Sequence, residues 1–139
     1  MEIVKNINFK SLVFAGFAAG YIMYFVDFWF AGLLGLFGLF PGTKDTWWMI
    51  THHIDAILIG LLFAWPAVYG KLPGASWLKG LVFGLGFWIL TLIVGFIAGA
   101  LGAKMFSGGM PGSAVVSSLL LHLVYGFFLG VLYVPPASE

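Results

Sequence analysis

Long apolar stretches separated by short turns dominate the chain. Four stretches can be drawn, over residues 9 to about 33 or beyond, 47–69, 77 to about 103, and 113–134. As a helix, each is long enough to cross a hydrocarbon core of about 30 Å, which takes about 20 residues. The alternation of apolar and polar residues that marks a barrel strand is absent. The pattern therefore predicts four transmembrane helices.

The connections between these stretches are short and rich in proline and glycine. They lie at residues 40–44, 71–75 and 107–112, and segments of this composition form turns. Helices joined by short turns are antiparallel neighbours. We therefore expect an all-α fold, an integral membrane four-helix up-down-up-down bundle that makes residues 1–139 a single transmembrane domain.

Two parts of the chain repeat each other with a constant shift of 69 residues. The shift places Lys10, Leu12, Val13 and Phe14 on Lys79, Leu81, Val82 and Phe83, Pro66 on Pro135, and His53 on His122. Repeat one covers about residues 10–66 and repeat two about 79–135. Tandem helix pairs share one orientation and are related by an axis along the membrane normal. We therefore expect His53 and His122 at one depth, on the second and fourth helices.

The composition confines the chain to the bilayer. It is 62% hydrophobic and 8% charged, and a soluble domain could not bury so large a share of apolar residues. Four lysines fall on one side of the four-helix model (Lys5, Lys10, Lys71, Lys79) and two on the other (Lys44, Lys104). This bias predicts that both termini are cytoplasmic, in a cell membrane. There is no cysteine, hence no disulfide, and no motif of a soluble enzyme or basic patch for nucleic acid.

The candidate chemistry centres on the two equivalent histidines. An ionisable residue inside a membrane is a functional hypothesis by default. In a four-helix bundle the second and fourth helices are diagonal, about 13 Å apart, a gap that two inward imidazoles with a metal between them can span. Asp27 either reaches the same outer third and holds an imidazole N–H, or lies at the headgroup boundary. Tyr125 lies one turn from His122 and can form a hydrogen bond or relay protons near the site.

With one histidine on each of these two helices, the chain resembles the b-type membrane cytochromes, whose four-helix core holds haem between histidines on the second and fourth helices. The resemblance implies haem b bound by His53 and His122, electron transfer, and a quinol or a redox protein as partner. It also implies that glycines let the macrocycle approach the helices: Gly16, Gly20, Gly84, Gly95, Gly99, Gly126 and Gly130. The chain departs from that family in having one histidine per ligating helix and no arginine.

Other interpretations stay open at this point. The glycine pairs also suit close helix packing without any ligand, and His53, His122 and Asp27 can instead hold a single zinc, copper or iron ion. A small proton-coupled transporter or channel uses similar repeats. The chain can also be an accessory subunit of a larger membrane complex, with the histidines incidental. A homo-oligomer is open as well. His52 faces about 100° away from His53 and is expected to pair with Asp55 at i, i+3.

Overall fold

The structure, a computed structural model, describes residues 6–34, 46–102 and 112–137. The described residues form five helices and no strand: α1 (Phe9–Leu34), α2 (Thr46–Ala64), α3 (Pro66–Tyr69), α4 (Ser76–Ala100) and α5 (Gly112–Leu132). Three segments are long and apolar enough to cross a membrane: Phe9–Phe28, Ser76–Ala100 and Val115–Leu132. The predictions of an all-α fold and of lipid contact are confirmed at this level.

The second predicted helix is wrong at its carboxyl end. It does not continue to residue 69, because α2 ends at Ala64 and Pro66 begins the separate short helix α3. Trp65 between them is extended, with φ −60° and ψ 126°, since a proline ring disfavours the helical conformation of the preceding residue. The apolar part of α2, Met49–Ala64, is therefore shorter than the other three segments.

Among the predicted turns, the structure describes the one at residues 71–75, which joins α3 to α4. Gly74 has a positive φ of 79° there, a conformation that glycine adopts without steric cost. The predicted turn at residues 40–44 and nearly all of that at 107–112 lie outside the described residues, as do Lys5, Lys44 and Lys104. The cytoplasmic placement of the termini thus stays a prediction.

Small residues bring the helix backbones into direct contact. α4 packs on α5, α5 on α1, and α1 on α2. Gly80 and Gly84 of α4 lie against the backbone of α5 at Gly126, Gly130 and His122, while α1 meets α2 where Gly16 and Gly20 face Ala56. Lipid tails are as apolar as leucine, so membrane helices associate largely through such close packing.

The contacts also fix the relative directions of α2 and α5. Gly60 of α2 lies beside Leu129 of α5, and the ring of Phe63 lies 5.9 Å from that of Tyr133. Residue numbers increase together along this contact, so α2 and α5 run parallel. In the α4–α5 contact they change in opposite senses, which makes that pair antiparallel.

The tightest packing lies at the end of the molecule where α1 begins and α5 ends. Leu12, Phe63 and Leu129 are fully buried there, and the Ser11 hydroxyl accepts a hydrogen bond of 2.7 Å from the Val134 N–H. In contrast, the side chain of Phe96, near the carboxyl end of α4, is 80% exposed. The histidines lie between these two ends.

Two glycines of α4 allow a matched test of this packing. We expect Gly84→Ala to lower the thermal unfolding midpoint in detergent, because the new Cβ would press on the His122 carbonyl oxygen and lie 3.3 Å from the Gly126 Cα. Overpacking of this kind costs about 1–3 kcal/mol. Gly86 has no atom within 4 Å of the equivalent position, so Gly86→Ala should leave the midpoint unchanged or raise it through better helix propensity. Equal midpoints for the two variants would contradict the glycine contact.

Candidate functional site

His53 and His122 are held in the same way by their own helices. The Nδ1 atom of His53 lies 2.7 Å from the Met49 carbonyl oxygen, and the Nδ1 atom of His122 lies 2.7 Å from the Ser118 carbonyl oxygen. A carbonyl oxygen only accepts hydrogen bonds, so each Nδ1 carries the hydrogen. In a neutral imidazole this leaves the Nε2 lone pair free to act as an acceptor or a metal ligand.

The two histidines lie at the same level of the molecule. The Tyr125 hydroxyl of α5 donates a hydrogen bond to the Ala56 carbonyl of α2, and these two residues are separated by 69 positions, the shift of the internal repeat. Each of them follows a histidine by three residues. Because α2 and α5 run parallel, one turn back along both helices from this bond leads to His53 and His122.

His53 is the more enclosed of the pair. It is 7% exposed, and its Nε2 atom is buried without a hydrogen-bond partner among the described residues. Two rings of α1 cover it, Phe17 at 4.6 Å and Tyr21 at 6.0 Å between ring centroids. A buried acceptor without a partner costs free energy unless a ligand or water satisfies it, so the Nε2 atom of His53 is the strongest sign of a binding site in the described part of the chain.

His122 has a comparable setting in the second helix pair. It is half-buried, and its ring lies 5.9 Å from the Phe87 ring of α4. Each histidine thus packs on an aromatic ring of the preceding long helix. Trp88, the next residue of α4, carries a buried indole N–H without a hydrogen-bond partner in the described segments. No sequence pattern distinguishes Trp88, because aromatic residues make up 19% of the chain.

Asp27 is buried, at 6% exposure, but it lies away from the level of the histidines. The ring nitrogen Nε2 of His52 contacts the Gly20 carbonyl oxygen at 3.0 Å, which places Gly20 of α1 beside this part of α2. Asp27 follows Gly20 by seven residues, about 10 Å along a helix. The imidazole N–H of His53 that Asp27 was expected to hold is bound by the Met49 carbonyl instead.

His52 has a different contact from the one that the sequence predicts. Its Nε2 atom faces a carbonyl oxygen of α1 and must therefore donate, so the ring links α1 to α2. Asp55, its expected partner, is exposed, and no ion pair between the two is found among the described residues. The sequence pattern does not predict this hydrogen bond, because it depends on how α1 and α2 are aligned along their axes.

The predicted glycines divide into two groups. Five of them form helix contacts, with a neighbouring backbone or side chain where a Cβ would stand: Gly16, Gly20, Gly84, Gly126 and Gly130. Gly95 and Gly99 are half-buried in the outer part of α4. The five contacts correspond to the packing interpretation of the small-residue pairs. At these five positions a neighbouring helix already lies on the side of the glycine that a macrocycle would have to approach.

The donor atoms limit what kind of metal group these residues can hold. In the described residues no group of three or more histidine, aspartate or glutamate side chains is close enough to bind a metal ion. The predicted set of His53, His122 and Asp27 is therefore not assembled, since Asp27 lies too far along α1. A protein zinc site uses three or four such ligands. Two imidazole nitrogens are as many protein ligands as haem iron uses, since the macrocycle supplies the others.

The tautomers of the three histidines are a direct test of this geometry. We expect the protein labelled with ¹⁵N-histidine to show two neutral imidazoles protonated at Nδ1, lost separately in His53→Ala and His122→Ala. A third imidazole, lost in His52→Ala, should be protonated at Nε2, because that atom faces a carbonyl oxygen. The measurement is nitrogen NMR in detergent or lipid at neutral pH. Three rings protonated at Nε2 would contradict the anchoring.

No family model matches this sequence, and no curated protein or solved structure matches it. A proposal for the function therefore rests on the two histidines, their hydrogen bonds and the residues that cover them.

Proposed function

We propose that this chain is a membrane-embedded electron-transfer protein that binds one haem b between His53 and His122. The observation that carries the proposal is the identical anchoring of the two rings, each Nδ1 lying 2.7 Å from the carbonyl oxygen four residues earlier. Ligating histidines typically use the second ring nitrogen in this way, which orients the ring and raises its basicity. The finer fold that belongs to the proposal is an up-down-up-down bundle of two tandem helix pairs.

Each residue of the proposed site has a separate role. His53 and His122 supply the two nitrogen ligands, while the carbonyl groups of Met49 and Ser118 hold the rings in place. Phe17 covers His53 and keeps water away from it. Held by these two imidazoles, a haem would supply single-electron transfer rather than oxygen binding. A membrane quinol or a redox protein is then the natural partner.

The choice of haem over a bare ion follows from the number of ligands. A two-histidine set leaves a zinc, copper or non-haem iron ion with most of its coordination positions open to other donors. A porphyrin would supply four nitrogens itself, so His53 and His122 would suffice as the protein ligands. Haem insertion would have to part the helices near the histidines, because the glycines on either side of them already form helix contacts.

The proposal is tested by the absorption spectrum of the protein purified in detergent, before and after reduction with dithionite. We expect a Soret band and sharp reduced bands, both lost in His53→Ala and in His122→Ala. His52→Ala is the matched control, since its Nε2 atom is used by the Gly20 carbonyl, and it should keep the spectrum. Metal analysis of the same samples detects a bare ion. A colourless, metal-free protein from cells supplied with haem precursors would refute haem and metal binding together.

A second function, an accessory subunit of a larger membrane complex, is favoured by Asp55. This residue is the tenth of the 19 residues of α2, and it is exposed. It makes no hydrogen bond or ion pair with the described residues, and the lysines among them, Lys10, Lys71 and Lys79, are not on α2 or near its middle. A charged side chain facing lipid at mid-membrane costs about 2.5–3.5 kcal/mol on insertion scales. A basic or hydrogen-bonding residue of another membrane protein would offset that cost.

Substitution of Asp55 separates the two roles. We expect Asp55→Asn to leave thermal unfolding of the isolated chain unchanged, because no described contact is lost, and to keep any haem spectrum. In native gels of mildly solubilised membranes, the wild type should migrate as a large complex and Asp55→Asn as the single chain. Asp27→Asn, at a buried carboxylate, is the comparison that should lower stability. A wild type that migrates as the single chain would contradict the subunit role and leave haem binding unaffected.

A further inference from the structure

A shallow, open groove of about 650 Å³ runs along the exposed face of α1, over its first nine residues. It is lined by Phe9, Lys10, Val13, Phe14 and Phe17. Four of the five lining side chains are apolar, and Lys10 supplies the charge. Of its lining residues, only Phe17 also belongs to the proposed haem site, where it covers His53.

Lys10, the charged residue of the groove, lies at one end of it. Lys10 lies in the first turn of α1 and Phe17 seven residues further, about 10 Å along the helix axis. Lys10 forms no ion pair or hydrogen bond with the described residues. Apolar side chains facing lipid are expected in any membrane protein and indicate no ligand by themselves. A cation at the interface end of an apolar groove is complementary to an amphiphile with an anionic head and a hydrocarbon tail.

The surroundings narrow the choice of ligand. Lys71 and Lys79 lie at the same end of the molecule, but the ammonium group of Lys79 already donates to the Tyr69 carbonyl oxygen at 3.0 Å and lies 4.2 Å from the Tyr69 ring centre. Of these three lysines, Lys10 is the one that belongs to the lining of the groove. Juxtamembrane lysines attract anionic lipid headgroups.

We propose that this groove binds an anionic phospholipid of the adjacent leaflet. Its phosphate contacts the Lys10 ammonium, and one acyl chain follows Val13 and Phe14 to Phe17. The far end of the chain then lies on the ring that covers His53, since the Phe17 and His53 centroids are 4.6 Å apart. The bound lipid thus packs against the outer wall of the candidate site, whether or not that site holds haem.

The test is native mass spectrometry of the full chain released from vesicles of equal parts phosphatidylglycerol and phosphatidylcholine. We expect the wild type to retain phosphatidylglycerol preferentially, and Lys10→Gln to lose about fivefold of that preference, the effect of one lysine near an anionic surface. Lys71→Gln is the matched control, an exposed lysine outside the groove, and should retain the wild-type preference. Phe14→Ala should reduce retention of both lipids, because it removes a wall of the groove.

Three results would overturn the proposal. One is equal retention of the two lipids by the wild type. Another is a Lys10→Gln variant that behaves like the wild type, with phosphatidylcholine retention confirming that the variant is folded. The third is displacement of the retained phosphatidylglycerol by inorganic phosphate at millimolar concentration, which would assign the contact to a simple anion site. None of these results depends on haem, so they leave the proposed function to its own test.

Discussion

The direct contact of helix backbones at small residues is the constraint on which the rest of the structure depends. Between membrane helices there is no hydrophobic driving force of the kind that folds a soluble core, so close van der Waals packing has to supply it. Here Gly80 and Gly84 meet Gly126 and Gly130 between α4 and α5, and Gly16 and Gly20 meet Ala56 between α1 and α2. These contacts fix the axial register within each helix pair. The level of every polar side chain inside the membrane follows from that register.

Both histidines depend on this register. Gly84 lies against the His122 carbonyl oxygen, so the α4–α5 contact passes through the backbone of the histidine itself. In the first pair, Gly16 and Gly20 pack against Ala56, which lies one turn from His53. The Ala56 carbonyl oxygen accepts the hydrogen bond of the Tyr125 hydroxyl. The glycines therefore position the imidazoles by holding helices, rather than by lining a ligand. A substitution at a glycine would alter ligand binding through the spacing of the helices.

The sequence predicts those parts of the fold that depend on composition alone. The helices α1, α4 and α5 begin and end within a few residues of the predicted bounds, because long apolar runs need no tertiary information. The apolar pattern does not predict the end of α2, because Pro66 lies inside an apolar run. The 69-residue shift pairs His53 with His122, and in the structure each ring bonds the carbonyl group four residues earlier. Hydropathy does not encode the register between helices. It therefore cannot predict the hydrogen bond from His52 to Gly20 or the distance of Asp27 from the histidines. The same holds for the Trp88 indole N–H, which has no hydrogen-bond partner among the described residues.

Two ionisable residues of α2 lie at nearly the same depth but on opposite sides of the helix. His53 and Asp55 are two positions apart, about 200° around a helix of 3.6 residues per turn. His53 accordingly faces the interior at 7% exposure, and Asp55 faces outward. A helix with its side chains is about 10–12 Å across, so a partner helix that pairs with Asp55 would lie about one helix diameter from a group bound at His53. The two proposed roles are therefore compatible, because a partner docked at the exposed carboxylate would lie at the depth of the His53 imidazole.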